Sequence, residues 1–145
     1  MRIRHIGAVL AGVTLPFTAC GDSDSGESSD DGGSDIEEAV ALMDEGDVKD
    51  ETGSGEVTVD ALDNRFVPKY VEVSKGTAVT FVNDGENVHN VLPVEEGAFE
   101  PVEASEFDPG DEGTVTFDEV GDVPFYCSLH GSTTKGMIGG VRVVE

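Results

Sequence analysis

Short stretches in which apolar residues recur at every second position dominate the chain from residue 55 onward. In the first of them Val57, Val59 and Ala61 follow the period-two pattern of a strand with one buried face. Further stretches rich in β-branched and aromatic residues lie at 71–73, 77–82, 88–92, 114–118, 123–127 and 138–144. Segments rich in Gly, Asn, Asp and Pro separate several of these stretches, as in tight turns. The pattern predicts an all-β fold for residues 54–145, an antiparallel Greek-key sandwich or barrel.

Apolar residues recur with the period of a helix in the segment before the strands. Ile36, Ala39, Val40 and Met43 occupy positions i, i+3, i+4 and i+7, which predicts a short amphipathic helix within residues 36–50. Because a helix this short is marginal alone, we expect it to dock on its own domain or, alternatively, on a partner. Met43 is then a docking residue and not a metal ligand.

The first nineteen residues have the pattern of a signal peptide. Arg2 and Arg4 give a positive start, and residues 6–17 form an apolar run of twelve residues. A transmembrane helix needs about 20 apolar residues, so this run is too short to span a bilayer permanently. It has the length of the apolar core of a secretory signal. We therefore assign residues 1–19 to an export signal.

Residues 17–20 resemble the lipobox of prokaryotic lipoproteins, in which the final Cys becomes the lipid-modified first residue of the mature protein. Cys20 is the lipid attachment site that this resemblance implies, although Phe17 departs from the usual Leu. A plain cleaved signal and an uncleaved anchor are the alternatives. Residues 20–35 contain mostly Gly, Ser and acidic residues, so they are predicted to form a disordered acidic linker.

Charge restricts the partners of the protein. The 145 residues include 31 acidic and 8 basic ones, for a net charge of −23. Phosphate backbones would be repelled, so nucleic acid is excluded as a partner. Acidity at this level favours a basic partner, or it reflects adaptation to a salty habitat; the sequence does not separate these two interpretations.

Four side chains outside the signal form a candidate copper set. Cys127 is followed by His130 and Met137, and His89 lies in an earlier turn-rich segment. Two imidazoles, one thiolate and a weak axial thioether make up a blue-copper electron-transfer site. The alternatives are a buried structural thiol, a hydrogen-bonded loop His and a Met that packs at the start of a strand. Zinc also accepts this type of ligand set.

Residues 56–145 resemble the cupredoxins of the plastocyanin, amicyanin and halocyanin type. Three segments carry the resemblance: 88–91 around the first His, 107–121 before the last ligand strand, and 125–137 around the Cys, second His and Met. The ordered set of His-Asn, Cys-x-x-His and Gly-Met on a β pattern is more specific than any one of these motifs.

The resemblance implies a role for each of these residues. His89, Cys127 and His130 would be the equatorial ligands of one type-1 copper, and Met137 the axial one. Asn90 would hydrogen-bond toward the Cys loop, and His130 would pass electrons through its exposed edge. Residues 131–136 make a longer loop than in plastocyanin-like proteins, which leaves open a more distant Met137 or a backbone oxygen near residue 88 instead. The chain has no Gln, so a Gln axial ligand is excluded.

These observations favour a one-electron carrier, not an enzyme, because four protein ligands leave no open position for substrate. A copper chaperone or buffer is the alternative. An enzyme with a Cys–His nucleophile is a weaker one, since no orienting group or oxyanion hole is evident. We expect an exported monomer, anchored by lipid to the outer face of the cytoplasmic membrane and facing the periplasm or cell surface.

Overall fold

The computed structural model describes residues 32–145, and about half of that part of the chain is in strands. The signal at 1–19, Cys20 and most of the predicted linker at 20–35 lie outside the described residues. Within them the strands are β1 (Val48–Asp50), β2 (Glu56–Leu62), β3 (Arg65–Val67), β4 (Tyr70–Ser74), β5 (Thr77–Asn83), β6 (Leu92–Pro93), β7 (Glu112–Phe117), β8 (Gly121–Gly131) and β9 (Gly136–Val144). A 3₁₀ turn covers Ala104–Glu106.

Two sheets pack face to face and confirm the all-β sandwich. One has the strand order β1-β4-β9-β8-β6 and the other β3-β2-β5-β7. The expectation of antiparallel pairing is wrong for three pairs, since β1–β4, β2–β5 and β4–β9 are parallel. An alternating pattern shows which face of a strand is buried. It does not show whether a neighbouring strand is parallel or antiparallel when the chain reaches that strand by crossing between the sheets.

Aromatic rings fill the space between the sheets. Phe66, Phe81 and Phe125 meet edge to face, with ring centroids 4.9 to 6.4 Å apart. Each of these side chains is at most 2% exposed. Rings in this geometry gain attraction beyond the area that they bury, so they give the strands that carry the site a rigid support.

The helix is longer at its start and shorter at its end than predicted. Helix α1 spans Gly32–Glu45, so the last four residues of the predicted linker are helical. Residues 48–50 of the predicted helical segment form β1 instead. Asp35 lies in the first turn, where a negative charge is favourable, and it accepts a hydrogen bond of 2.7 Å from Thr133. This distant contact is invisible to local sequence patterns.

Helix α1 docks on its own domain, as one of the two interpretations predicted. Met43 is fully buried against Gly140 of β9, where an added Cβ would lie 2.8 Å from the Met43 Cε atom. Arg142 on β9 donates to Asp44 of the helix and to Asp122 of β8. The hydrogen bonds to these carboxylates raise the pKa of Arg142. The helix is therefore part of the β domain.

Among residues 32–145, no helix combines the length and the apolar character that crossing a bilayer requires.

Candidate metal centre

Sheet pairing brings the His89 loop beside Cys127. Leu92 of β6 pairs with Tyr126 of β8, so the residues just before Leu92 lie next to those just after Tyr126. Residues 88–90 form no strand, contrary to the prediction for 88–92, and Val91 makes only an isolated bridge. A continuous strand would alternate its side chains between two faces, whereas His89 and Asn90 are both buried at this site.

Three ligand atoms converge at one point. The Nδ1 atoms of His89 and His130 are 3.1 Å apart, and the Cys127 Sγ atom lies 3.8 Å and 3.6 Å from them. A triangle with these sides has a centre about 2.0 Å from each corner, close to the bond lengths that Zn²⁺ makes to His nitrogen and Cys sulfur. The three residues therefore fit a single metal ion in a trigonal arrangement, and they form a type-1 copper-like site.

One side of the site is buried, and the other side reaches the protein surface. His89 and Cys127 have no exposed surface, whereas His130 is half-buried. Leu129 beside it is 53% exposed, and Val88 beside His89 is 37% exposed. The ligand nearest to solvent is thus the second His, and exposed apolar side chains adjoin both histidines in sequence.

Burial keeps the first His ready to bind metal. It lowers the pKa of His89 below the usual range, and the adjacent His130 lowers it further, while Asp63 acts in the opposite direction. A neutral imidazole has a free lone pair, which a metal requires and a protonated ring lacks. The site therefore favours the ligand form of His89.

Asn90 links the two ligand loops by reciprocal hydrogen bonds. Its Nδ2 atom donates to the Ser128 hydroxyl, and the Ser128 backbone N–H donates to the Asn90 Oδ1 atom, both over 2.9 Å. The predicted contact between Asn90 and the Cys loop is confirmed. It fixes the spacing of His89 and Cys127, since each linked residue adjoins a ligand.

The loop between His130 and Met137 closes on itself. Gly131 pairs with Gly136 across the turn, and a Cβ at Gly131 would lie 2.6 Å from the Met137 nitrogen. Gly136 has φ of +80°, a conformation that favours glycine. The added length thus forms a turn, and the backbone of Met137 still lies next to the end of β8.

Met137 is fully buried and belongs to the same apolar cluster as Cys127. Burial agrees with an axial thioether ligand and equally with a packing residue at the start of β9. The axial role of Met137 therefore stays a prediction.

Sequence reasoning missed Asp63 and Gly85, which contact the far side of His89. The Asp63 Oδ1 atom is 3.6 Å from His89 Nε2, and a Cβ at Gly85 would lie 3.0 Å from the same nitrogen. The parallel register of β2 and β5 pairs Ala61 with Asn83, which places the residues that follow these two side by side. Only the pairing of distant strands could have pointed to Asp63.

Several known proteins are similar to this chain. The sequence profile of the family described as copper binding proteins, plastocyanin/azurin family, matches residues 53–144. Halocyanin from Natronomonas pharaonis is 37% identical over 108 residues, which cover 71% of this chain and 65% of the halocyanin. The chain thus spans less than two thirds of that relative. Plastocyanin from Solanum crispum is 36% identical over 87 residues, which cover 54% of this chain and 86% of the plastocyanin.

A solved structure supports the same fold. The Cu-containing nitrite reductase from Thermus scotoductus SA-01 superposes with a TM-score of 0.50 and 30% identity. The superposition covers 62% of this chain and 22% of the reductase chain.

Proposed function

The chain belongs to the plastocyanin/azurin family of copper-binding proteins, and from that premise we propose that it carries single electrons between redox partners as a blue copper protein. The family is typically one of electron-transfer copper proteins. The observation that carries the proposal is the convergence of two Nδ1 atoms and one Sγ atom within 3.8 Å of one another. Copper at this point would supply one-electron cycling between Cu(II) and Cu(I).

The protein's part is to hold the ligands still. Cys127 and His130 lie on β8 between Tyr126 and Gly131, which both pair with β9, and Asn90 locks the His89 loop to this segment. A thiolate suits Cu(I), while imidazole suits both oxidation states. If the ligands keep the same positions around Cu(II) and Cu(I), little structural rearrangement accompanies electron transfer. Met137 is the proposed axial ligand.

Burial favours electron transfer over catalysis. His89 and Cys127 have no surface that a substrate could touch, and an electron needs no such contact. His130 is the ligand that reaches the surface, so electrons would pass through its ring, with Leu129 in the docking face. The protein is accordingly proposed to be a carrier and not an enzyme.

The proposed location combines the sequence signals with the fold. Export by residues 1–19 and lipid attachment at Cys20 would hold the domain at the outer face of the cytoplasmic membrane. Helix α1 is docked on β9 through Met43, so the tether would end at the first turn of the helix.

The partner is proposed to be a basic redox protein that meets a monomer, because residues 54–145 carry 18 acidic and 5 basic side chains.

Reversible redox cycling tests the proposal. The copper-loaded protein is reduced and reoxidised with inorganic one-electron reagents while its visible spectrum is followed. We expect complete recovery over many cycles at one electron per copper. The Cys127→Ser variant should lose both the colour and the cycling while keeping the fold, and Ser132→Ala, at an exposed position beyond the ligand strand, serves as its control. Copper that is released on reduction would instead support the chaperone or buffer alternative.

A further inference from the structure

The far nitrogen of His89 is buried and has no hydrogen-bond partner within the described chain. Its Nδ1 atom faces the metal centre, so Nε2 is the nitrogen left to carry the proton of a metal-bound imidazole. A buried N–H without an acceptor is destabilising, because it has lost its hydrogen bond to water. The group that faces this nitrogen therefore matters to the site.

Asp63 is the acid that faces it. The Asp63 Oδ1 atom lies 3.6 Å from His89 Nε2, and a shift of about 0.5 Å brings the pair into the distance range of an N–H···O hydrogen bond. Gly85 lies against both groups, since its added Cβ would be 2.8 Å from Asp63 Oδ1 and 3.0 Å from His89 Nε2. The close approach of carboxylate and ring depends on the absence of a side chain there.

The Asp63 carboxylate is itself held in place by the loop that leads to His89. Its Oδ1 atom accepts hydrogen bonds from the Glu86 nitrogen at 3.1 Å, the Asn87 nitrogen at 3.3 Å and the Asn87 Nδ2 atom at 2.9 Å. The Asn87 side chain is the main reason that the pKa of Asp63 is lowered. The carboxylate is thus ionised and fixed beside the ring.

We propose that Asp63 is a positioning residue of the metal centre, whose carboxylate accepts the Nε2–H of His89 and leaves Nδ1 bare for the metal. A carboxylate behind a metal-bound His fixes its tautomer and raises its basicity. The proposal rests on the proposed function only for the identity of the metal. The tautomer of His89 follows from the protein alone.

The metal-free protein gives the first test. The Nδ1 atoms of His89 and His130 are 3.1 Å apart, so one of them must donate to the other when both rings are neutral. If Asp63 holds the proton of His89 on Nε2, then His130 carries its proton on Nδ1. Nitrogen-15 NMR of the imidazoles above pH 7.5 should show these two tautomers. A His89 protonated on Nδ1 would overturn the proposal.

Metal binding gives the second test. Asp63→Asn keeps the size of the side chain and a carbonyl oxygen for the loop, but it removes the charge behind the ring. We expect about 10–100-fold weaker Zn²⁺ binding. In the copper-loaded protein, we expect the Cu(II)/Cu(I) equilibrium to shift about tenfold toward Cu(I), about 59 mV for one electron. The Asp84→Asn variant is the matched control, because it removes the same charge from an exposed position of the same loop.

A further variant separates a direct effect from a loop effect. Asn87→Ala removes one hydrogen bond that holds Asp63 but leaves its carboxylate and the two backbone hydrogen bonds to it, so it should change Zn²⁺ affinity and the copper equilibrium by less than Asp63→Asn does. Equal shifts in Asp63→Asn and in either Asp84→Asn or Asn87→Ala would overturn the positioning role. A wild type with the expected tautomers but no blue copper would refute the proposed function and leave this inference standing.

Discussion

Two buried methionines allow the axial position to be tested at the scale of single residues. Met137 and Met43 are both fully buried, but Met43 packs on Gly140 under helix α1. Replacement by Leu keeps the volume, so each variant should lose less than about 1.5 kcal/mol of stability. Met137→Leu should change the visible and EPR spectra and raise the potential, whereas Met43→Leu should leave both unchanged. Identical spectra in both variants would remove Met137 from the ligand set.

The pH dependence of the metal-free protein depends on His89. Burial lowers the pKa of His89 in the folded state, whereas the unfolded chain binds the proton near the usual pH of about 6.5. Below that pH the unfolded state takes up more protons, so the free energy of unfolding should fall until the folded ring also titrates. Urea titrations at pH 7.5 and 5 measure this loss. His89→Gln should flatten it, and His130→Gln should retain the larger part of it, because burial is the main cause of the lowered pKa of His89; an equal slope in all three proteins would show that His89 is not the source of the pH dependence.

The site residues that the sequence revealed are those whose amino-acid types are rare in this chain. Cys127 and the two histidines stand out because so few thiols and imidazoles are present, and their spacing matches a copper site. Asp63 could not be found this way, because it is one of 31 acidic residues. Its position behind His89 results from the pairing of β2 with β5, and no local pattern encodes that register.

At the scale of elements, helix α1 and the ligand loop form one unit. Asp35 of the helix binds Thr133 of the loop, and Arg142 joins the helix to β8 and β9. Sequence periodicity found the apolar face of the helix because Ala39 and Met43 obey it. It misplaced the ends, because the first turn is held by a contact with a residue 98 positions away.

Helix docking can be tested at Gly140. A methyl group there would collide with Met43, since the added Cβ would lie 2.8 Å from Met43 Cε. Overpacking of this kind costs about 1–3 kcal/mol, so Gly140→Ala should lower the free energy of unfolding by that amount in thermal or urea denaturation. Gly55→Ala is the control, because nothing lies within 4 Å of its added Cβ. A Gly140→Ala protein as stable as the control would mean that the helix is not docked.

At the scale of the whole molecule, net charge dominates encounters with partners. A charge of −23 attracts cations over distances that salt shortens, since the Debye length is about 10 Å at 0.1 M ionic strength. The rate of electron transfer with a cationic inorganic oxidant should therefore fall steeply as salt rises, and the rate with an anionic oxidant should rise. Stopped-flow kinetics measure both rates. If neither rate changed with salt concentration, adaptation to a salty habitat would be the only explanation left for the charge.

The fold class was predictable at this scale because short alternating strands and frequent turns have few other solutions. The strand order was not, because β2 and β5 become neighbours only after the chain has crossed to the other sheet and back. This crossing brings Asp63 beside the loop that leads to His89, so that supporting contact was not predictable, whereas the ligands were predictable from their residue types and spacing.

The decisive experiment adds Cu(II) to the purified domain and records the visible absorption and EPR spectra of the same sample. We expect an intense thiolate-to-copper band and a narrow copper hyperfine splitting at one copper per chain, both absent in Cys127→Ser. A folded protein that binds Cu(II) without colour, or that stays blue when Cys127 is replaced, would contradict the proposed blue-copper site.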